Sequence, residues 1–329
     1  MTVGIVGGGS WGTALAIHLA RAGTPVRIWA REAEIVEGIR RERRNPWYLA
    51  DAAIPLNVEA TGDLQEATNG VDIVIVAVPS EFVARTLAGL PRVPDAVPMV
   101  SATKGFDPER HLRMTEVIAE RFPGGSVAAL SGPTFAREVA AGLPTAAVVA
   151  STDETLAARL QRRLGTREFR LYTNRDVVGV ETGGALKNVI AIATGLADGL
   201  GLGENARAAL ITRGLVEMTR LAVALGGAAG TLAGLAGLGD LVLTCTGSLS
   251  RNHTLGMELA KGGTLAQFEQ GTRMVAEGVR TARSADALAR RHGVTLPIAR
   301  EIAATLFDGK PAREALASLL ARPAAREDR

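Results

Sequence analysis

The N-terminal stretch constrains the fold more than any other part of the chain. An apolar run at 2–6 predicts a strand, a turn containing Gly7, Gly9 and Gly12 follows, and a helix-like run begins at Thr13. This glycine spacing is weak alone but informative between a strand and a helix. There the first glycine makes a tight turn, the second lets the backbone approach a pyrophosphate, and the third lets helix pack on strand. The stretch predicts a dinucleotide site, with a plain strand–turn–helix connection as the alternative.

The end of the second predicted strand bears on which dinucleotide binds. This strand, 25–30, is followed by Arg31 and Glu32. An acidic residue here binds the ribose 2′-hydroxyl of NAD, whereas an arginine suits the 2′-phosphate of NADP. We therefore expect NADPH to be favoured, with NADH use allowed through Glu32, and a solvated Arg31 as the alternative. Ser10 and Trp11, in the glycine-rich turn, are further expected cofactor contacts.

Strand-like runs recur through the first half of the chain, with segments able to form helices between most of them. They lie at 71–78, 98–102, 126–130, 145–151 and 168–172. This alternation predicts a doubly wound α/β sheet. Ligands bind such sheets beyond the carboxyl ends of the strands. Ser80, Lys104 and the turn 132–134 follow strand ends, so we expect them to share one cleft.

The second half of the chain lacks strand signals from about residue 176 onward. Helical stretches are predicted at 177–200, 205–225, 251–261, 281–292, 297–307 and 313–320. We divide the chain near residue 180, into a Rossmann-type α/β domain at 1–180 and an all-α domain at 181–329. Residues 323–329 are expected to be a frayed tail.

Composition excludes several classes of function. The net charge of +3 is small for 329 residues and indicates no nucleic-acid partner, and the basic run 40–44 is expected to be a solvated helix end. Cys245 is the single cysteine, so no intrachain disulfide forms. Together with the absence of a charged signal segment after Met1, this leads us to expect a cytoplasmic protein. No apolar run is long enough to span a membrane, and no cluster resembles a metal site.

Lysine is rare, and this draws attention to Lys187. Four of the 37 basic residues are lysines, and lysine exchanges a proton more readily than arginine does. Lys187 lies in a helix-like stretch where Gly183, Gly184 and Ala191 share its face. Each helical glycine costs about 1 kcal/mol relative to alanine. We expect these glycines to keep the face clear for a substrate; the alternative is a surface lysine on a helix packed through small residues.

Two loops in the second half carry further polar residues. One is glycine-rich and leads to Asp240, which is either a helix N-cap or a site residue. The other presents Ser250, Arg251 and Asn252 at a helix start, a combination that suits a phosphate dianion. An ordinary surface role for Arg251 is the alternative. His253 is a competing acid/base but lacks a carboxylate partner in sequence, so a structural role is favoured.

Together these motifs closely resemble those of bacterial NAD(P)-dependent glycerol-3-phosphate dehydrogenase, over nearly the whole chain. They are GGGSWGTALA at 7–16, SATKG at 101–105, SGPTFAREVAAGLP at 131–144, GGALKNVIAI at 183–192, AGLGDLVLTCT at 236–246 and SRN at 250–252. The resemblance implies a Rossmann-type doubly wound N-terminal domain and an all-α C-terminal domain like that of 6-phosphogluconate dehydrogenase. It implies reversible NAD(P)H-dependent reduction of dihydroxyacetone phosphate to sn-glycerol 3-phosphate, without a metal, supplying phospholipid synthesis.

The resemblance also assigns roles to individual residues. It makes Lys187 the acid/base, places Lys104 against both cofactor and substrate, and has Asp240 orient Lys187 or a substrate hydroxyl. It places Gly132, Thr134, Asp240, Ser250, Arg251 and Asn252 at the substrate. It places Ser10, Trp11, Arg31, Ala136, Arg251, Val275 and Glu277 at the cofactor.

Two other functions are compatible with parts of the sequence. One is a reductase of the same architecture that acts on a β-hydroxy acid or a ketopantoate-like substrate; the Ser250–Asn252 segment argues against it. The other is a dinucleotide-binding regulator without turnover, which the combination of Lys104, Lys187 and Asp240 disfavours. From the size of the helical half we expect a homodimer.

Overall fold

The structure is a computed structural model that describes residues 1–271 and 275–323. The expected tail at 323–329 therefore lies outside the described residues, except for its first residue. The first half folds around an eight-stranded sheet of order β3-β2-β1-β4-β5-β6-β7-β8. The strands are β1 Val3–Val6, β2 Val26–Trp29, β3 Val58–Thr61, β4 Ile73–Val76, β5 Met99–Ser101, β6 Val127–Ser131, β7 Thr145–Ala150 and β8 Phe169–Asn174.

The sheet is mostly parallel, which confirms the predicted α/β class. The pairing β6–β7 alone is antiparallel among the described pairs, and β7 and β8 are parallel to each other. All seven predicted strands are present. The sequence missed β3, because its Val-Glu-Ala-Thr sequence has no continuous apolar run. A strand at the edge of a sheet does not need such a run.

Arginine side chains cover the outer edge of β3. The carbonyls of Asn57 and Thr61 accept hydrogen bonds from the β2 side, so the alternate carbonyls, of Val58 and Ala60, face outward. Arg40 donates from Nε to the Ala60 oxygen at 2.7 Å, and Arg43 donates from Nη2 to the Val58 oxygen at 2.9 Å. The basic run was expected to be merely solvated. The structure shows instead that two of its members bind the sheet.

Helices flank the sheet, and they are the regular elements that the structure describes in the second half. In the first half they are α1 Ser10–Arg21, α2 Ala33–Glu37, α3 Leu64–Thr68, α4 Ser80–Ala88, α5 Met114–Arg121, α6 Ala136–Ala141 and α7 Glu154–Leu164. In the second half they are α8 Val177–Gly199, α9 Gly203–Ala224, α10 Ala229–Leu232, α11 Asp240–Thr246, α12 Arg251–Ala260, α13 Leu265–Gln270, α14 Glu277–His292, α15 Pro297–Phe307 and α16 Ala312–Leu320. The described part of the chain also contains two π-helical turns, at Gly38–Glu42 and Leu235–Gly239.

Helix α8 is the centre of the helical half. It has 23 residues, and those from Gly179 to Ala197 are all buried. Its sequence is mostly apolar or small, as expected for a helix surrounded by protein, with Glu181, Lys187 and Asn188 as buried polar exceptions. Helices α9, α11, α12 and α14 pack around it. Within the part of the chain that the structure describes, no helix combines the length and hydrophobicity needed to cross a membrane.

Candidate active site

A cleft with a volume of about 740 Å³ lies between the carboxyl ends of the strands and the helical half. Most of the predicted site residues line it, and they come from both halves of the chain. These are Gly7, Gly9, Ser10, Trp11, Arg31, Lys104, Thr134, Ala136, Lys187, Ser250, Arg251, Asn252, Val275 and Glu277. Gly12, Gly132 and Asp240 do not line the cleft, and each supports a residue that does, as the contacts below show.

The glycine-rich turn fits a dinucleotide pyrophosphate. Gly7 has φ of 132°, and a Cβ there would lie 2.6 Å from the Ala77 carbonyl oxygen. A Cβ at Gly12 would collide with the Gly7 carbonyl, so this glycine lets α1 pack on β1. At Gly9, which lines the cleft, a Cβ would meet no atom within 4 Å. The start of α1 has no side-chain cap and lines this space, and the positive end of the helix dipole favours an anion there.

Arg31 and Glu32, which follow β2, also line the cleft. Arg31 donates from Nε and Nη2 to Oε1 of Glu32, at 2.9 and 2.6 Å. Its guanidinium lies 5.8 Å from the centre of the Phe82 ring, and 67% of its side chain is exposed. Phe82 also lines the cleft, and no motif in the sequence indicated it. Both residues considered for recognition of the ribose are therefore at the cleft, paired with each other.

The Asp240 carboxylate joins the two lysines. Its Oδ2 lies 2.8 Å from Nζ of Lys104, and its Oδ1 lies 2.8 Å from Nζ of Lys187. Asp240 is 1% exposed, and it is the first residue of α11, whose N-cap is Gly239. The alternative reading of Asp240 as an N-cap is therefore wrong. The carboxylate instead holds two cations from different halves of the chain together.

Lys104 is fully engaged by its neighbours. Its Nζ donates to the Gly132 carbonyl at 2.7 Å and to Thr134 Oγ1 at 3.1 Å, besides Asp240. Burial lowers the pKa of Lys104 to about 8, and the nearby Lys187 acts in the same direction, while Asp240 opposes the shift. Gly132, which has φ of 133°, accepts the Lys104 hydrogen bond through its carbonyl and does not line the cleft. It was predicted at the substrate, but in the structure it supports Lys104 instead.

Lys187 is 6% exposed, so the surface-lysine alternative is wrong. Its Nζ donates to Oγ1 of Thr244 at 2.7 Å in addition to its ion pair with Asp240. Thr244 was not assigned from the sequence. The signal was present, however, since residues four apart on a helix share a face and Asp240 begins the same helix. Asn188, which follows Lys187 and also lines the cleft, was likewise overlooked.

The two glycines beside Lys187 have a different role from the one expected. A Cβ at Gly183 would lie 2.7 Å from the Ala236 carbonyl oxygen, and one at Gly184 would collide with the Ser131 hydroxyl. They do not clear space for a substrate. They let the π-helical turn before Asp240 and the end of β6 approach α8, which brings Asp240 and Lys104 to Lys187.

The start of α12 presents Arg251 to the cleft. Burial lowers the pKa of Arg251, while Glu277 and Tyr48 oppose the shift. Ser250 caps the helix by accepting from the His253 backbone N–H at 3.3 Å. These contacts agree with an anion-binding helix start, with Arg251 as its cation.

Asn252 and His253 connect this segment to other helices. Asn252 donates to Oδ1 of Asn188 at 2.9 Å and accepts from the Gly278 backbone N–H at 3.0 Å, so its amide oxygen is committed to α14. His253 Nε2 lies 2.6 Å from Oδ2 of Asp198 and does not line the cleft. The favoured structural role of His253 agrees with this position.

Glu277 begins α14 and closes the cleft from the helical side. It accepts hydrogen bonds from the backbone N–H of Ser80 at 3.3 Å and from its hydroxyl at 2.9 Å. Burial raises the pKa of Glu277 to about 7, while the bonds from Ser80 oppose the shift. Ser80 was expected at a strand end near the cleft, and it takes part through Glu277. Among residues 1–271 and 275–323, no group of three or more His, Cys, Asp or Glu is arranged to hold a metal ion.

A dinucleotide-type turn that faces a lysine-bearing helix across a cleft defines a two-domain NAD(P)-dependent dehydrogenase. Comparison with family models shows which family of dehydrogenases the chain matches. The model described as the NAD-dependent glycerol-3-phosphate dehydrogenase N-terminus matches residues 2–157, and the model of its C-terminus matches residues 176–317. The chain belongs to the NAD-dependent glycerol-3-phosphate dehydrogenase family.

Individual relatives agree with the family models. The chain is 53% identical over 332 residues to a glycerol-3-phosphate dehydrogenase [NAD(P)+] of Koribacter versatilis, covering 99% of this chain and 98% of the relative. It is 51% identical to the protein of the same name in Geobacter sulfurreducens, covering 97% of each. The crystal structure of glycerol-3-phosphate dehydrogenase from Coxiella burnetii superposes with a TM-score of 0.92 at 40% identity, covering 98% of this chain and 99% of that one.

Proposed function

We propose that the protein catalyses the reversible NAD(P)H-dependent reduction of dihydroxyacetone phosphate to sn-glycerol 3-phosphate. The single observation that carries this proposal is the pair of lysines joined by Asp240 at the cleft, opposite the glycine-rich turn. A ketone that becomes an alcohol needs a proton donor at its oxygen and positive charge around it. The pair supplies both, and the family provides the substrate class.

The nicotinamide cofactor, when bound, supplies the hydride, and the protein positions and polarises the substrate. Gly9, Ser10 and Trp11 would hold its pyrophosphate end, and Glu277 and Val275 would border it from the helical half. Trp11 is itself fixed, since its Nε1 donates to the Ala102 carbonyl at 3.1 Å.

Lys187 is the proposed acid/base. Asp240 and Thr244 take up two of its three ammonium hydrogens, and the side chain lines the cleft, so the third can point to a carbonyl oxygen. In the reduction Lys187 gives a proton to that oxygen, and in the reverse reaction it takes the proton back. Lys104, whose three contacts fix its ammonium group, adds positive charge beside the reacting oxygen.

Arg251 is the proposed phosphate ligand. A guanidinium at a helix start combines charge, directional donors and the helix dipole, all of which favour a phosphate dianion. Ser250 and Asn252 lie beside it. One amide hydrogen of Asn252 remains for the substrate, because the other binds Asn188 and the amide oxygen accepts from the Gly278 backbone N–H. Binding energy from the phosphate can then hold the reacting carbon in place.

One assay tests the reaction and separates it from its rivals. NADPH oxidation is measured with dihydroxyacetone phosphate, with ketopantoate and with β-keto acids. We expect turnover with dihydroxyacetone phosphate alone, and glycerol 3-phosphate as the product. Turnover with ketopantoate or a β-keto acid would favour the alternative reductase of the same architecture. Binding of NADPH without turnover of any substrate would favour a regulator.

For the cofactor we propose a preference for NADPH over NADH, supported by Arg31 at the cleft. We expect Arg31→Ala to lower kcat/KM with NADPH about 10- to 100-fold, as for loss of a charge-assisted hydrogen bond, and to leave NADH use nearly unchanged. Steady-state kinetics with both cofactors is the measurement, and Arg163→Ala, an exposed arginine on α7, is the control. A variant that keeps the wild-type NADPH preference would exclude this role.

We also propose a homodimer in the cytoplasm, with a role at the start of phospholipid synthesis. The exposed Leu238 and Val242, one helical turn apart, support self-association, and sedimentation of the purified protein tests it. The free and buried Cys245 supports a reducing compartment. The product is the head-group precursor of phospholipids, which supports the biosynthetic role.

A further inference from the structure

The segment that follows Lys104 belongs to the first half of the chain but is anchored in the second. Phe106 is 1% exposed and lies in the hydrophobic cluster of the helical half, together with Leu186 and Val189 of α8. At Gly105 the backbone passes so close to α4 and α14 that a Cβ would lie 2.7 Å from the Ser80 hydroxyl and 3.4 Å from Oε2 of Glu277. The chain directly after Lys104 is therefore docked on the helices.

A tight turn then returns the chain toward α5. Asp107 is buried, and its Oδ1 accepts from the backbone N–H groups of Glu109 at 3.2 Å and Arg110 at 2.7 Å. His111 has φ of 61°, and its Nδ1 lies 3.1 Å from Oγ of Ser284 on α14. This contact is the second anchor of the segment on the helical half.

The third anchor is Glu181, on α8. Its carboxylate accepts from the Thr115 backbone N–H at 2.9 Å, from the Thr115 hydroxyl at 2.5 Å and from Nη1 of Arg113 at 3.2 Å. Glu181 is 6% exposed. Burial raises the pKa of Glu181, while the Thr115 hydrogen bonds and Arg113 oppose the shift. The same rigid helix carries Lys187, less than two turns further on.

We propose that Glu181 is a positioning residue, whose carboxylate clamps the segment carrying Lys104 onto the helix carrying Lys187. The inference rests on the roles proposed above for these two lysines. They come from different halves of the chain, yet both must lie 2.8 Å from the same Asp240 carboxylate. A buried, multiply bonded carboxylate fixes direction and spacing more strictly than apolar packing does. Misplacement of a reacting group by about 1 Å costs rate even when folding is intact.

The test compares Glu181→Gln with Glu116→Gln. Glu116 also pairs with Arg113, at 2.7 Å, but lies on its outer side and is 41% exposed. We expect Glu181→Gln to lower kcat about 10- to 100-fold with little change in KM for the cofactor. Because an exposed ion pair contributes little, Glu116→Gln should change kcat less than about twofold. The measured turnover is divided by the fraction of protein that binds NADPH, which corrects kcat for any loss of folded enzyme.

A double-mutant cycle with Lys104→Met distinguishes positioning from general stability. If Glu181 acts through Lys104, adding Glu181→Gln to Lys104→Met lowers kcat by less than about twofold further. If the double variant instead shows the product of the two single reductions in kcat, the proposal is overturned. A Glu181→Gln variant with the wild-type kcat would also overturn it. Should Glu181→Gln fail to fold, Thr115→Val, which removes one donor from the carboxylate, goes through the same cycle with the same two outcomes.

The result also separates this inference from the proposed reaction. Wild-type enzyme that does not turn over dihydroxyacetone phosphate would remove the proposed function, and the positioning role with it. Wild-type turnover combined with independent effects of Glu181→Gln and Lys104→Met would remove the positioning role alone.

Discussion

The Asp240 carboxylate lies between the ammonium groups of buried Lys187 and partly buried Lys104, and this arrangement lets two cations share one small site. Each Nζ is 2.8 Å from a different oxygen of the carboxylate. Without it, the two lysines would repel each other in a poorly solvated space, where Coulomb interactions are strong. Asp240 therefore lowers the repulsion and fixes both side chains. We predict that the pair behaves as one unit, so that losing either lysine disturbs the other.

Lys187→Ala should lower kcat/KM about a thousandfold, because acid catalysis and electrostatic stabilisation are lost together. The measurement is NADPH oxidation with dihydroxyacetone phosphate. The matched control is Lys261→Ala, since Lys261 is an exposed lysine paired with Glu258 away from the cleft. Near-normal turnover of Lys187→Ala would rule out the acid/base assignment.

Arg251→Ala should act mainly on substrate binding. Loss of a charge-assisted contact to the phosphate predicts a rise in KM for dihydroxyacetone phosphate of about 10- to 100-fold. The same variant should accept unphosphorylated dihydroxyacetone about as poorly as the wild type does. An unchanged KM for the phosphorylated substrate would count against the phosphate role.

At this scale the sequence indicated the residues for which we propose roles in the reaction, but not the residues that support them. Lys104, Lys187 and Arg251 were found because motifs carry them, and Glu277 was assigned from the family resemblance. All four line the cleft. Glu181 could not be found as a support, because its partners are 66 or more residues away in the chain. Such contacts depend on how the halves dock, which no local pattern encodes.

At the scale of elements, α8 depends on its two consecutive glycines for close packing. A Cβ added at Gly183 would meet the backbone carbonyl of Ala236, and a Cβ added at Gly184 would meet the hydroxyl of Ser131. A backbone carbonyl cannot move aside without moving the turn that leads to Asp240. A serine hydroxyl can rotate, and that of Ser131 has no hydrogen-bond partner in the described structure.

Gly183→Ala should therefore destabilise the protein by about 1–3 kcal/mol, as overpacking in a core does. Gly184→Ala should cost less, because rotation of the Ser131 hydroxyl makes room. Gly230→Ala on α10 is the control: its Cβ would meet no atom within 4 Å. Because glycine loses more conformational entropy than alanine when a helix forms, this replacement should stabilise the protein by about 0.5–1 kcal/mol. Chemical denaturation measures all three, and equal costs at 183 and 184 would contradict the packing argument.

Element type was more predictable than element geometry. Buried strands such as β4 are continuous apolar runs and were predicted. The reversed direction of β7 was not, because direction in a sheet depends on the connection and leaves no mark on the strand itself. The π-helical turn before Asp240 was expected only as a glycine-rich loop. The division of the chain near residue 180 stays a prediction; β8 ends at Asn174 and α8 begins at Val177.

At the scale of the whole molecule, buried carboxyl groups make the free energy of unfolding depend on pH. Glu217 on α9 accepts from the backbone N–H groups of Ile298 at 2.7 Å and Ala299 at 3.1 Å, and so caps α15. Burial raises the pKa of Glu217 from 4.5 to about 7, against the effect of these hydrogen bonds. A carboxyl whose pKa is raised by folding contributes stability below its unfolded pKa, and this is lost as pH rises through the folded value.

The wild type should therefore lose about 3 kcal/mol more of its unfolding free energy than Glu217→Gln does, between about pH 4.5 and about pH 8. The amide of the variant does not titrate, so the difference between the two pH curves isolates the contribution of the Glu217 carboxyl. Urea denaturation of both proteins across this range is the measurement. Parallel curves would show that Glu217 titrates normally in the folded protein.

The arginines along β3 have a consequence for the protein as a solute. A sheet edge with free carbonyls is a template on which a strand from another molecule can pair. Arg40 and Arg43 occupy the two outward carbonyls of β3 and place positive charge there. An approaching strand would have to displace both side chains before its first hydrogen bond. We therefore expect the basic run to protect the β3 edge of the sheet against edge-to-edge aggregation at high protein concentration.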